Sequence, residues 1–110
     1  MELHSNISIQ NSVTITEIID DLRAAEEIIR RFERRYWISS ADFYDLYQQG
    51  ILDDGDNIED FVTWAGFYTI KLDREESLQE LSHKRTAQLL ATMHQGVVTV
   101  KPMEPALEAA

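Results

Sequence analysis

TEIIDDLRAAEEIIRRFERRY, residues 16–36, decides the fold class. With Ile15 just before it, Ile18, Leu22, Ala25, Ile29, Phe32 and Tyr36 recur at alternating spacings of three and four. That rhythm matches the 3.6-residue turn of an α-helix and puts all seven side chains on one side of it. A helix over about residues 16–36 is therefore expected. Thr14 followed three residues later by Glu17 has the form of a capping box, with Thr16 as a competing N-cap. On the outer side Glu26 precedes Arg30 and Glu27 precedes Arg31 by four residues, the favourable order, each pair contributing about 0.2–0.5 kcal/mol. A stripe held for three heptads could also seat the helix against a second copy of itself.

Beyond this stretch, Trp37-Ile38 breaks the stripe, and Ser39 and Ser40 offer N-caps with Asp42 suited to the positive end of a helix dipole. A second helix is expected over 40–49, with Phe43, Leu46 and Tyr47 as its apolar set and Gly50 as its C-cap. Asp53-Asp54-Gly55-Asp56-Asn57 reads as an acidic turn in which Asp56 or Asn57 caps a third helix over 57–73. Ile58, Phe61, Ala65, Tyr68 and Leu72 form its stripe, widened by Val62 and Trp64. Asp73-Arg74-Glu75-Glu76 is solvated, and Ser77 with Glu80 makes a further capping box. Either a fourth helix over 77–95 starts there, or the third continues as an exposed rod. Leu78, Leu81, Leu89, Leu90 and Met93 form a weaker stripe ending at Gly96. Alternation at Ile7, Ile9, Val13 and Ile15, and again at Val97, Val98 and Val100, suggests short strands near both termini that pair with each other. The expected architecture is mainly α, three to four helices with short terminal strands, as a single helical domain over 1–100 and a flexible tail over 101–110.

The chain has 110 residues, 20 acidic and 10 basic, and a net charge of -10. The imbalance has an address. Between Tyr36 and Ile70 there is no lysine or arginine, yet Asp42, Asp45, Asp53, Asp54, Asp56, Glu59 and Asp60 all fall there. The aromatics crowd the same region, from Phe32 to Tyr68. Such a charge repels phosphate backbones and anionic lipid and favours a basic partner. Zero cysteines exclude a disulfide scaffold, a thiol nucleophile and every thiolate metal site. No apolar run is long enough to span a bilayer, and Met1-Glu2-Leu3-His4 lacks the basic region and apolar core of a signal peptide. A cytoplasmic protein with no membrane association is expected.

Catalytic and metal chemistry find little support. His83 and His94 lie eleven residues apart, about 16 Å along a helix and too far to share one ion. Placing Gly55 at the glycine of an EF-hand loop puts Gly50, Leu52 and Phe61 at ligand positions, so the loop fails as a calcium site. There is no nucleophile elbow, P-loop or zinc-protease motif. No catalytic residue, cofactor or metal is expected. Arg30, Arg31, Arg34 and Arg35 form a basic cluster whose expected partners are Glu26, Glu27, Glu33 and the acidic block. The segment Asn6-Ile7-Ser8-Ile9-Gln10, which would read DNA in a ribbon-helix-helix protein, holds no base. Direct nucleic-acid binding by this chain alone is not expected.

What remains is the acidic and aromatic block. Tyr36-Trp37, Phe43-Tyr44 and Phe67-Tyr68 are adjacent pairs, and helical neighbours point about 100° apart, so one member of each pair should reach the surface. Exposed rings among carboxylates suit a hot-spot interface for a basic protein. Tyr36, Trp37, Tyr44, Tyr47, Asp53, Asp54, Asp56, Trp64 and Phe67 are the candidate partner-binding residues.

Residues 31–36 (RFERRY), 38–50 (ISSADFYDLYQQG) and 60–68 (DFVTWAGFY) resemble a family of small acidic bacterial and archaeal proteins. Its pattern is Phe-Glu-x-x-Tyr-x-[Met/Ile]-[Ser/Thr]-Ser-x-x-Phe-Tyr, an acidic turn, then Asp-Phe-x-x-Trp-x-x-x-Tyr. The match covers Phe32 to Tyr68 and departs from the pattern at Trp37, which replaces the usual glycine, and at Gly66, which replaces a larger residue. Members of this family are regarded as antitoxins encoded beside toxins of the TumE type. The resemblance thus implies a helical antitoxin that neutralises a basic toxin. The alternative is a homodimeric structural or adaptor protein.

Overall fold

The computed structural model describes residues 14–53 and 55–103. Among these residues the fold is mainly α, with three helices and no strand: α1 (Ile15–Tyr36), α2 (Ser40–Gln49) and α3 (Ile58–Ala91). The N-terminal strand expected at Ile7, Ile9 and Val13 and the tail after Met103 lie outside the described residues, while Ile15 is helical. Two compact units divide the chain, residues 1–78 and 79–110, and the division falls inside α3.

In the first unit α1 starts where the capping box puts it, with Thr14 Oγ1 accepting from the Glu17 amide at 3.2 Å. Its stripe turns inward: Ile18, Ala25 and Ile29 are buried, and Leu22, Phe32 and Tyr36 are half-buried. The stripe on which pairing with a second copy is expected packs within the chain at Ile29, which belongs to the core, and at Phe32 and Tyr36, which lie against it. α1 ends on Trp37, whose backbone is left-handed at φ 58° and whose amide donates to the Glu33 carbonyl at 2.8 Å. Glycine adopts this conformation without a Cβ penalty.

Glu33 also caps the next helix. Its carboxylate accepts from the Ser40 amide at 2.8 Å, beside the bond from the Asp42 amide to Ser39 Oγ at 3.1 Å. A negative side chain here complements the positive end of α2. At the other end Gly50 takes φ 69°, and its amide closes on the Tyr47 carbonyl.

The core of this unit is Ile29, Phe43, Trp64 and Ala65, with Phe32, Tyr36, Tyr44, Tyr47, Phe61, Phe67 and Tyr68 packed against it. Trp64 and Phe43 stack at 3.8 Å between ring centroids with planes 1° apart. Phe32 and Tyr36 lie 5.6 and 5.7 Å from the Trp64 ring. Removing an indole of this size from water stabilises the fold by roughly 4–6 kcal/mol.

Of the two alternatives for the C-terminal half, a break between helices over 57–73 and 77–95 or one continuing helix, the second holds: α3 is a single helix, Ile58–Ala91. Asp73-Arg74-Glu75-Glu76 contains no glycine or proline and carries helix-compatible residues throughout, so nothing there stops propagation. In the second unit the last turn tightens, with the Thr92 and Met93 amides donating to Leu89 and Leu90 carbonyls. Gln95 at φ 52° and Gly96 at φ 75° then form a two-residue turn, the positive-φ pair of a type I′ hairpin turn. His94 and Val97 exchange both backbone hydrogen bonds at 3.0 Å. The strand expected at Val97, Val98 and Val100 is thus corrected to this single bridge. Arg85 Nη2 donates to the Lys101 carbonyl at 2.6 Å, which ties the returning segment to α3 within this unit.

Candidate functional site

The carboxylates of the base-free window occupy α2, the α2–α3 turn and the first turn of α3. Asp42, Asp45, Asp53, Asp56 and Glu59 are exposed. Among the described residues none of the five has an ion-pair partner; Asp45 accepts only from the Gln49 amide group at 3.3 Å. Asp54 lies outside the described residues. Part of this set serves the backbone: Asp42 stands in the first turn of α2 and Glu59 with Asp60 in that of α3, where negative charge favours the helix dipole.

Asp60 differs from the rest. It is half-buried and accepts from the Tyr36 hydroxyl at 2.5 Å, while Arg35 Nε stands 3.3 Å from the same oxygen and its guanidinium lies over the Tyr36 ring. Burial first, then the hydrogen bond and charge of Asp60, raise the Tyr36 phenol above its ordinary range; Arg35 acts in the opposite direction. The group links α1 to the start of α3. The expected pairing of the arginine cluster is met at Arg31, which reaches Glu27 at 3.2 Å, and at Arg35. Glu33 instead serves α2. Farther along, Arg74 pairs with Asp21 of α1 at 3.0 Å and with Asp73, and Lys71 pairs with Glu75 at 2.9 Å. These bonds raise both cations above their ordinary pKa.

The aromatic half of the expected face is mostly interior. Trp64, a candidate partner-binding residue, has 0% exposure, and its indole Nε1 donates to Ser40 Oγ at 2.8 Å. Tyr36, Tyr44, Tyr47 and Phe67 are half-buried against the core. Of the ten aromatic residues, nine are in or against that cluster, and the remaining one, Trp37, is 91% exposed. Sequence reasoning named Ser40 as an N-cap candidate and Glu33 as an arginine partner, and missed the bonds that they make, Ser40 to Trp64 and Glu33 to the Ser40 amide. Only the proximity of Ser39 and Ser40 to the end of α1 hinted at either.

No group of three or more histidine and acidic residues among those described could hold a metal ion. Shallow grooves open to solvent, among them one of about 470 Å³ lined by Ile28, Arg31, Phe32, Arg34 and Arg35, one of about 340 Å³ lined by Arg23, Glu26, Glu27, Arg30 and Arg34, and one of about 350 Å³ lined by Ile58, Glu59, Val62 and Thr63. None of the three is an enclosed apolar pocket with a few convergent polar groups, the form of a small-molecule site. No helix among the described residues is long and apolar enough to cross a membrane.

These observations define a small, mainly α-helical protein with an aromatic core and an acidic flank. Comparison of the chain with protein-family models, with curated proteins and with solved structures gives no match.

Proposed function

We propose that this chain is a non-enzymatic binding module for a basic protein, acting in the cytoplasm as the antitoxin of a basic toxin. One observation carries this reading: Asp42, Asp45, Asp53, Asp56 and Glu59 stand exposed with no ion-pair partner among the described residues. Unpaired carboxylates on one stretch of chain repel one another, and a cationic partner relieves that repulsion while the field accelerates its approach. The resemblance over Phe32 to Tyr68 points to the same class of partner. Co-expression with the product of the adjacent reading frame should yield a complex that dissociates as salt is raised. Failure to bind a basic neighbour would overturn the antitoxin reading.

A second reading, a homodimeric structural or adaptor module, is favoured by a different feature. Leu90, Met93, Val97, Val100 and Met103 are all exposed in the second unit, where no described residue is buried. Apolar side chains so placed gain from a covering surface. Sedimentation at micromolar concentration distinguishes the readings: a monomer argues against the dimer.

A further inference from the structure

We infer that Trp37 is the aromatic anchor of the interface, the ring onto which a guanidinium or ammonium group of the partner stacks; this rests on the partner being basic. Trp37 is costly to the free chain in two ways. Its left-handed backbone, φ 58°, brings a Cβ penalty that glycine avoids. Its ring is 91% exposed, whereas the nine other aromatics are in or against the core. The conformation is held from two sides by Glu33, whose carbonyl takes the Trp37 amide and whose carboxylate takes the Ser40 amide. Strain kept in place by its surroundings at an exposed residue points to use outside the fold.

The chemistry of the occupant follows from the surroundings in the chain. Trp37 stands at the start of the window that runs to Ile70 without a lysine or arginine. Asp42 and Asp45, exposed and without ion-pair partners among the described residues, follow in the first two turns of α2. Arg35, the nearest cation before it, is already engaged by Asp60 and by the Tyr36 ring. The indole offers a cation the most electron-rich face among the side chains, and the segment that follows it in the chain carries only negative charge. Tryptophan is also the residue type most enriched where interfaces concentrate their affinity.

The test uses the full chain and a dye-labelled peptide of ten arginines at low salt. Because Trp64 is fully buried, emission that acrylamide can quench comes from Trp37. Peptide binding should protect that emission, with the same midpoint as the anisotropy of the dye. Trp37→Gly should bind the peptide about threefold more weakly, the size of an exposed cation–π contact, and its thermal midpoint should not fall. Equal peptide affinity for Trp37→Gly and the wild type, with weakened binding by Asp53→Lys/Asp56→Lys, overturns the anchor and leaves the basic-partner reading standing. A fall in the thermal midpoint of Trp37→Gly makes Trp37 structural and also overturns it. A peptide that binds neither the wild type nor Trp37→Gly overturns the basic-partner reading and the anchor together.

Discussion

Trp64 Nε1 and Ser40 Oγ lie 2.8 Å apart, and both residues are buried. The indole N–H finds its partner at the first residue of α2, so one hydrogen bond joins the α2 start to the middle of the aromatic core. Ser40→Ala leaves that donor without an acceptor away from water, and an expected loss of about 1–3 kcal/mol follows. Trp64→Ala removes the stacking surface of Phe43, Phe32 and Tyr36 and should cost about 3–5 kcal/mol. Urea unfolding of the two variants reads both values. A consequence for interface mapping is that lost binding in Trp64→Ala would report lost folding.

Tyr36 and Asp60 make stability depend on alkaline pH. The Tyr36 phenol is raised in the folded chain, first by burial and then by Asp60, whereas in the unfolded chain it ionises near pH 10. Above about pH 10 the unfolded state therefore holds fewer protons than the folded one, and stability falls as pH rises. Below that pH the contribution is fully present. Thermal midpoints between pH 8 and 11.5 should drop more steeply for the wild type than for Tyr36→Phe. At neutral pH that variant should lose about 1 kcal/mol through the missing hydrogen bond.

Reversing Asp53 and Asp56 tests the acidic flank without touching the core. Both side chains are exposed and without ion-pair partners among the described residues. Asp53→Lys/Asp56→Lys should therefore leave the free energy of unfolding within about 0.5 kcal/mol of wild type. Association with the basic product of the neighbouring reading frame should slow, and its rate should depend less on salt. Stopped-flow mixing at two ionic strengths measures both effects. An unchanged rate would remove this flank from the interface.

Helix ends and faces were legible because local chemistry determines them. Thr14 caps through its hydroxyl and Gly50 through a left-handed backbone that its lack of a Cβ permits, and the Ile18 to Tyr36 stripe turns inward as its period requires. The site was less legible. Trp64 lies three residues after Phe61 and four before Tyr68, so it shares a helix face with them, yet Ala65 satisfies the same period. Only the approach of Phe43 selects the indole as the centre, and contacts between helices leave no local mark. Conversely, the adjacency of Tyr36 and Trp37 requires one ring near the surface without choosing between them, and Trp37 is the exposed one. The bonds of Glu33 and Ser40 depend on how the α1–α2 corner folds, which no spacing rule encodes.

Ser77 tests by sign whether α3 is continuous. Ser77 and Glu80 have the spacing of a capping box, but the helix runs from Ile58 to Ala91 with Ser77 in its interior. At an N-cap, serine to alanine costs about 0.5–2 kcal/mol because the side chain satisfies an orphan amide. Inside a helix those amides already have carbonyl partners four residues back, and alanine is the better helix former by up to about 0.5 kcal/mol. Ser77→Ala should therefore be neutral to slightly stabilising. Ser39→Ala, which removes the oxygen bonded to the Asp42 amide, should destabilise by about 1 kcal/mol. Thermal unfolding followed by circular dichroism compares the pair under one set of conditions. A loss at Ser77 equal to that at Ser39 would mean that the helix breaks there.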